Sequence, residues 1–252
     1  MSSATTSGRV ECGDPNSASA LSLRDSVVEV VSSPDMVNVI RCTLQITSSK
    51  LIMDGTSVGG AITLNTDTSF EGDRLQIRSI NSNQGLLALS MFGERVSVRL
   101  TNSLLEDAGI NLVTADTVAP GSQLFFAFNT FTFSTNVGDG RGQLNCNGNA
   151  TPKTVLFENN IITAFGEPEA VIGDRCTFRN NVISPLTTAL PNNTIADPQF
   201  VDAAARNFRL KSTSPAVDTA MPSATLDTDH DIEGTARPQG VKSDIGAFEL
   251  KP

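Results

Sequence analysis

The sequence predicts an all-β chain wound as a right-handed parallel β-helix of about seven or eight coils, closed by a C-terminal tail. Three observations carry that expectation. A phrase ending in Asn recurs as VRLTN at 98–102, FFAFN at 125–129, VLFEN at 155–159 and CTFRN at 176–180. The intervals between the asparagines are 27, 30 and 21 residues, the period of a solenoid whose coils bury against one another what none buries alone. Apolar and spacer residues alternate within each copy, the period of a strand with one face to a core. An Asn at one fixed point of each coil suits a left-handed backbone at a tight corner. Asn102, Asn129, Asn159 and Asn180 are therefore expected to stack as a ladder of amide hydrogen bonds.

Residues 1–30 read as an N-terminal cap or a truncated start, because a first coil has no neighbour beneath it. Short β-branched runs follow, SVVEVV at 26–31, VNVIRCTLQI at 37–46, LIM at 51–53 and AITL at 61–64. The pairs Ser32-Ser33, Asp54-Gly55 and Gly59-Gly60 break them as turns. LQIRS at 75–79 is a weaker copy of the phrase, with Ser79 in the Asn place. Residues 31–190 are assigned to coils, with loop-like insertions at 106–120 and 134–153. Residues 191–252 form the closing tail, and the whole of 1–252 is one domain.

Composition narrows the functional classes. The net charge of -9 leaves no basic stripe to collect phosphates, so nucleic acid is not an expected partner. An anionic polysaccharide would need a local basic cluster against the overall field. No stretch is long and apolar enough to span a membrane. Trp and Tyr are absent, which removes the usual platforms for stacking sugar rings. The 13 Phe residues are expected mostly in the core, as at Phe125, Phe157 and Phe178. Cys12 and Cys42 are 30 residues apart, as are Cys146 and Cys176. Coils about 4.8 Å apart would allow both pairs to bridge, which implies an oxidising compartment. The alternative is four buried thiols.

Beyond the last repeat the texture changes. DPQF at 197–200 is followed by NFRL at 207–210, SPAVD at 214–218, DTDHDIEG at 227–234, Arg237-Pro238 and DIGAFE at 244–249. In content and order this series resembles the C-terminal tail of bacterial secreted β-helix proteins, the choice-of-anchor Q domain group. The 227–234 segment departs from the shorter, more Gly-rich form usual there. The resemblance implies secretion or surface display in a bacterium, and no single reaction.

Candidate chemistry is sparse. His230, the only histidine, reads as an exposed loop residue before it reads as a general base. Asp227, Asp229 and Asp231 alternate as in calcium loops, without the further ligands of an EF-hand; no cofactor is expected other than calcium at this place. Arg74, Arg78, Arg95 and Arg99 are the candidates to neutralise a uronate carboxylate in a lyase. Glu158 and Arg179 occupy the same place in successive coils and read as a surface ion pair. The leading expectation is an extracellular or cell-surface module, non-catalytic, binding glycan or a partner protein along one face. The rivals are a polysaccharide lyase on the arginine-bearing face and a structural stalk of a larger surface protein.

Overall fold

In a computed structural model, residues 2–6, 10–13, 19–31, 37–54, 60–80, 86–92, 95–106, 108–111, 123–133, 144–145, 154–164, 176–223 and 228–251 are described. The chain deals its strands in rotation to three sheets. Lys50–Asp54 lies in the first, Gly60–Asn65 in the second and Ser69–Asp73 in the third. Gln76–Ile80 then returns to the first and pairs in parallel with Lys50–Asp54. Among the described residues the sheets hold nine, six and seven strands, paired in parallel throughout. This is a parallel β-helix. No helix is long and apolar enough to cross a membrane among the described residues.

Alternation builds the core. In Ser97–Thr101, Val98 and Leu100 are buried while Ser97 and Arg99 are exposed. Equivalent inward places stack from coil to coil, as Leu100, Phe126, Phe157 and Phe178 do. The rings of Phe126 and Phe157 are parallel at 4.6 Å, and those of Phe157 and Phe178 at 5.1 Å. Gly72 holds the same row one coil before Leu100. A Cβ there would lie 2.8 Å from Phe70 Cζ, so the glycine makes room for that ring.

The turn from the third sheet to the first is made by one left-handed residue. Asp25, Ser48, Arg74, Asn102, Phe128, Asn159, Asn180 and Asn192 all have φ between 48° and 60°. The N–H of this residue bonds the next coil, as Asn102 to Ala127 O and Asn159 to Arg179 O. Asp25, Ser48, Arg74, Phe128 and Asn180 donate in the same way, which satisfies these corner amides. The residue after it points inward and forms the ladder. Asn160 Oδ1 accepts from Asn129 N and Nδ2, and Asn181 Oδ1 accepts from Asn160 N and Nδ2. Asn193 Oδ1 continues the series by accepting from Asn181. Ser103 Oγ fills the same role for the amide of Leu75.

The expected ladder therefore mixes two rows. Asn102, Asn159 and Asn180 sit at the left-handed corner, where Asn180 Nδ2 donates to Asn159 Oδ1 at 2.8 Å. Asn129 is one place further on, in the inner ladder, because Val98 pairs with Leu124 and Leu100 with Phe126. The phrase at 125–129 is one residue out of register, and Phe125 faces outward while Phe126 fills the core. With phenylalanine at 125, 126 and 128, two frames look equally apolar, and a one-residue slip exchanges the faces.

Within 1–30, Ser2–Thr6, Val10–Cys12 and Ser19–Arg24 are strands of the same three sheets. Cys12 and Cys42 are bridged, with Cα atoms 6.0 Å apart. Cys176 is also disulfide-bonded; Cys146, the partner expected for it, lies outside the described residues. The tail, expected to close the end, turns back along the flank. Thr219 O meets Asn180, Met221 meets Asn159, Thr228 meets Asn102 and His230 meets Asp73, each contact further toward the N-terminus. The reason is apolar surface. Leu104, Ala127, Phe128, Ile161 and Val182 face outward near the corner, and Phe200, Phe208, Leu210, Ala216 and Ile245 of the tail bury them.

Candidate functional site

The four arginines proposed from sequence do not converge. Arg99 stands on the exposed face of the third sheet, in register with Glu71 and Phe125. Arg95 is at the opposite corner, paired with Asp67, which also lies 3.6 Å from Arg41. Its hydrogen bond to Arg95 is the main reason the Asp67 carboxyl sits below its ordinary pKa. Arg78 is on the first sheet between Ile52 and Glu106, its Nε buried without a hydrogen-bond partner. Arg74 lines a concave site.

That site is a cleft of about 370 Å³ between the first-sheet flank and the tail. The coils supply Ser48, Ser49, Lys50, Arg74, Gln76 and Leu104, and the tail supplies Arg206, Arg209, Ile232, Glu233 and Phe248. Each cation is placed by a local rule. Lys50 is the first residue of its strand and exposed. Arg74 is a left-handed corner residue, and its Nε donates to Asp73 Oδ2 at 3.2 Å. Arg206 ends the tight turn of the tail hairpin with φ 59°, and its Nη1 donates to Glu106 Oε2 at 2.8 Å. Glu106 is 2% exposed and accepts also from Gln76 at 2.7 Å. Arg209 alternates outward between buried Phe208 and Leu210, and its guanidinium lies 5.7 Å from the Phe248 ring centroid. Nε and Nη2 of Arg209 both donate to the Glu233 carboxylate. Four cations and one carboxylate thus line a single cleft in a chain of net charge -9. Sequence reasoning missed Lys50, Arg206 and Arg209, which come together only when residues some 150 positions apart are folded against each other; outward alternation in NFRL was the one local signal.

His230 joins the tail to the coils beside this cleft. Its Nε2 lies 2.9 Å from Asp73 Oδ2 and its Nδ1 lies 2.5 Å from Asp229 Oδ1. Both ring nitrogens are engaged, so the imidazole anchors the tail rather than facing open space. Asp73 accepts further bonds from Thr101 Oγ1 at 3.0 Å and Asn102 Nδ2 at 2.9 Å. Burial pushes the Asp73 carboxyl up, but the hydrogen bonds from His230, Asn102 and Thr101 outweigh it and hold the group below its ordinary value.

The calcium candidates have other duties. Asp231 is fully buried, and its Oδ1 accepts from the amides of Glu233 and Thr235 while Oδ2 accepts from that of Glu249. Asp229 is exposed and holds His230; Asp227 lies outside the described residues. Among the described residues no three His, Cys, Asp or Glu side chains are grouped to hold a metal. The buried Arg237 donates to Asp244 O, Gly246 O and Glu249 Oε2, and stacks 5.0 Å over Phe128. Burial lowers the pKa of Arg237 and raises those of Asp244 and Glu249. Glu158, expected at the surface, is buried, with Arg179 Nη2 2.5 Å from its Oε1.

No protein-family model matches this chain, and no curated protein does. Among solved structures it is similar to one described as the crystal structure of pectate lyase Pel9A. The TM-score is 0.48 and the identity 12%, over 92% of this chain and 70% of the other. The likeness is one of fold.

Proposed function

We propose that this protein is a non-catalytic β-helix module, secreted or displayed at a cell surface, that binds an acidic glycan where its tail meets its coils. One observation carries the reading: Lys50, Arg74, Arg206 and Arg209 gather in one cleft of an otherwise acidic chain. A local cluster of cations set against an unfavourable overall field is what an anionic polymer requires. The occupied nitrogens of His230 favour binding over proton abstraction, because a general base needs a nitrogen within reach of the substrate. The Cys12–Cys42 bridge supports an oxidising compartment. The tail phrases support a place beside the choice-of-anchor Q group.

The test is a panel of acidic and neutral polysaccharides, with and without calcium. Saturable binding to acidic members, lost in the Lys50→Ala/Arg209→Ala double variant and without new ultraviolet absorbance, is expected. Unsaturated products would overturn the non-catalytic reading. No binding to any acidic member would overturn the glycan reading altogether.

A further inference from the structure

Glu233 is out of keeping with the rest of the cleft. It is the one carboxylate among four cations, and it engages Arg209 side-on, through Nε at 3.3 Å and through Nη2. A planar pair of oxygens against two parallel N–H groups is the way a guanidinium recognises a carboxylate, and on Arg209 a carboxylate already fills that edge. Arg74 borders the same place: a Cβ on Gly234, the residue beside Glu233, would lie 3.7 Å from Arg74 Nη1.

The backbone under Glu233 is pinned, while its side chain is not. Its N–H donates to the buried Asp231 carboxylate at 2.9 Å, Gly234 N donates to Asp231 O at 3.0 Å, and Ile232 N donates to Ala247 O at 2.9 Å. The ion pair itself faces solvent, with side chains 55% exposed for Arg209 and 31% for Glu233. The carboxylate can swing away without disturbing the tail.

We propose that Glu233 is a built-in stand-in for the ligand, its carboxylate holding the seat on Arg209 that a carboxylate of the bound glycan takes. This rests on the glycan reading above and deepens it. The cleft is then a carboxylate subsite flanked by Arg74 and Lys50, and Arg206, tied to the buried Glu106, supports its wall. Ligand and Glu233 compete for Arg209, which sets both affinity and preference.

The experiment titrates the full chain and Glu233→Gln by calorimetry with two probes, a glucuronate oligomer and a sulfated oligosaccharide of the same length and charge. The variant is expected to bind the glucuronate oligomer about five-fold more tightly than the wild type, the factor set by an exposed ion pair of about 1 kcal/mol. The sulfated probe should gain less, and Arg209→Gln should weaken binding of the glucuronate oligomer. Wild-type binding with no gain in Glu233→Gln would overturn the stand-in and leave the glycan reading intact. Equal gains for both probes would overturn the carboxylate preference. No binding of either probe by either protein, at unchanged melting temperature, would overturn both readings. Should Glu233→Gln melt early, Glu233→Ala carries the same comparison.

Discussion

Replacing Asn160 by alanine tests the inner ladder where it is most enclosed. Asn160 is fully buried, donates to Phe126 O at 2.9 Å, to Glu158 O at 3.1 Å and to Asn181 Oδ1 at 3.0 Å, and accepts from Asn129 N at 2.9 Å. Alanine leaves the buried amide of Asn129 without an acceptor, which costs about 1–3 kcal/mol. The lost donor bonds to neighbouring carbonyls add about 1 kcal/mol each. The sum is about 3–5 kcal/mol, a large part of a total stability of about 5–15 kcal/mol. Asn180→Ala should cost only about 1–2 kcal/mol, since this side chain is partly exposed and alanine pays mainly for the left-handed backbone. Asn160→Ser should recover part of the loss, because Ser103 Oγ already accepts an amide at the equivalent place. With neither Trp nor Tyr present, urea unfolding is best followed by far-ultraviolet circular dichroism. An Asn160→Ala variant within about 1 kcal/mol of wild type, or less destabilised than Asn180→Ala, would refute the argument.

Three further outcomes follow from the tail. Gly246 has φ 97°, and a Cβ there would lie 2.6 Å from Ile161 Cδ1; Gly246→Ala should cost about 1–3 kcal/mol in thermal melts, and an unchanged melting temperature would show that the tail is not seated this way. His230→Ala should speed amide exchange in 228–251 and leave the coil amides unchanged, whereas uniform acceleration would deny His230 the role of anchor. Stability should also depend on pH with a turning point. Asp244 and Glu249 have raised pKa values, so their contribution is present below the ordinary 3.8 and 4.5 and is lost as pH rises through the raised ones. Asp73 has a lowered pKa, so its contribution is present above 3.8 and is lost as pH falls through the lowered one. Melting temperature is expected to rise from neutrality toward pH 4.5 and to fall below 3.8; a steady fall on acidification from pH 7 would contradict these assignments.

The coils were legible because burial in a parallel β-helix repeats the same demand at the same place. Val98, Leu100, Val155, Phe157 and Phe178 all answer it, and the Asn phrase marks each return. Register was less legible, since Phe125 and Phe126 satisfy the demand equally well in a string of letters. The doublets Asn159-Asn160, Asn180-Asn181 and Asn192-Asn193 held the missing signal: the first Asn turns the corner and the second builds the ladder. The docking of the tail was also written in the sequence. Leu104-Leu105, Ile161-Ile162 and Val182-Ile183 are each two apolar residues in succession, which breaks the alternation and leaves one outward-facing side chain to be covered. The cleft was not legible, because charge brought together by a long-range fold leaves no spacing to read.

The division of labour within the tail bears on what its phrases signify. Asp231, Arg237, Asp244 and Glu249, polar residues of the tail phrases, are all buried and spend their hydrogen bonds on tail backbone and on each other. Phe208 and Ile245 serve as apolar cover for the corner. Together they fix the tail on the outward apolar row of the coils. The residues that give this cleft its charge, Arg206, Arg209 and Glu233, stand between or beside them and face outward. Arg209 and Glu233 face solvent and can change without loosening the seat, whereas Arg206 also holds the buried Glu106 of the coils. In this tail attachment belongs to the buried positions, while Arg209 of NFRL and Glu233 of DTDHDIEG face outward from the same phrases, so ligand preference is read from the outward positions and not from the buried ones.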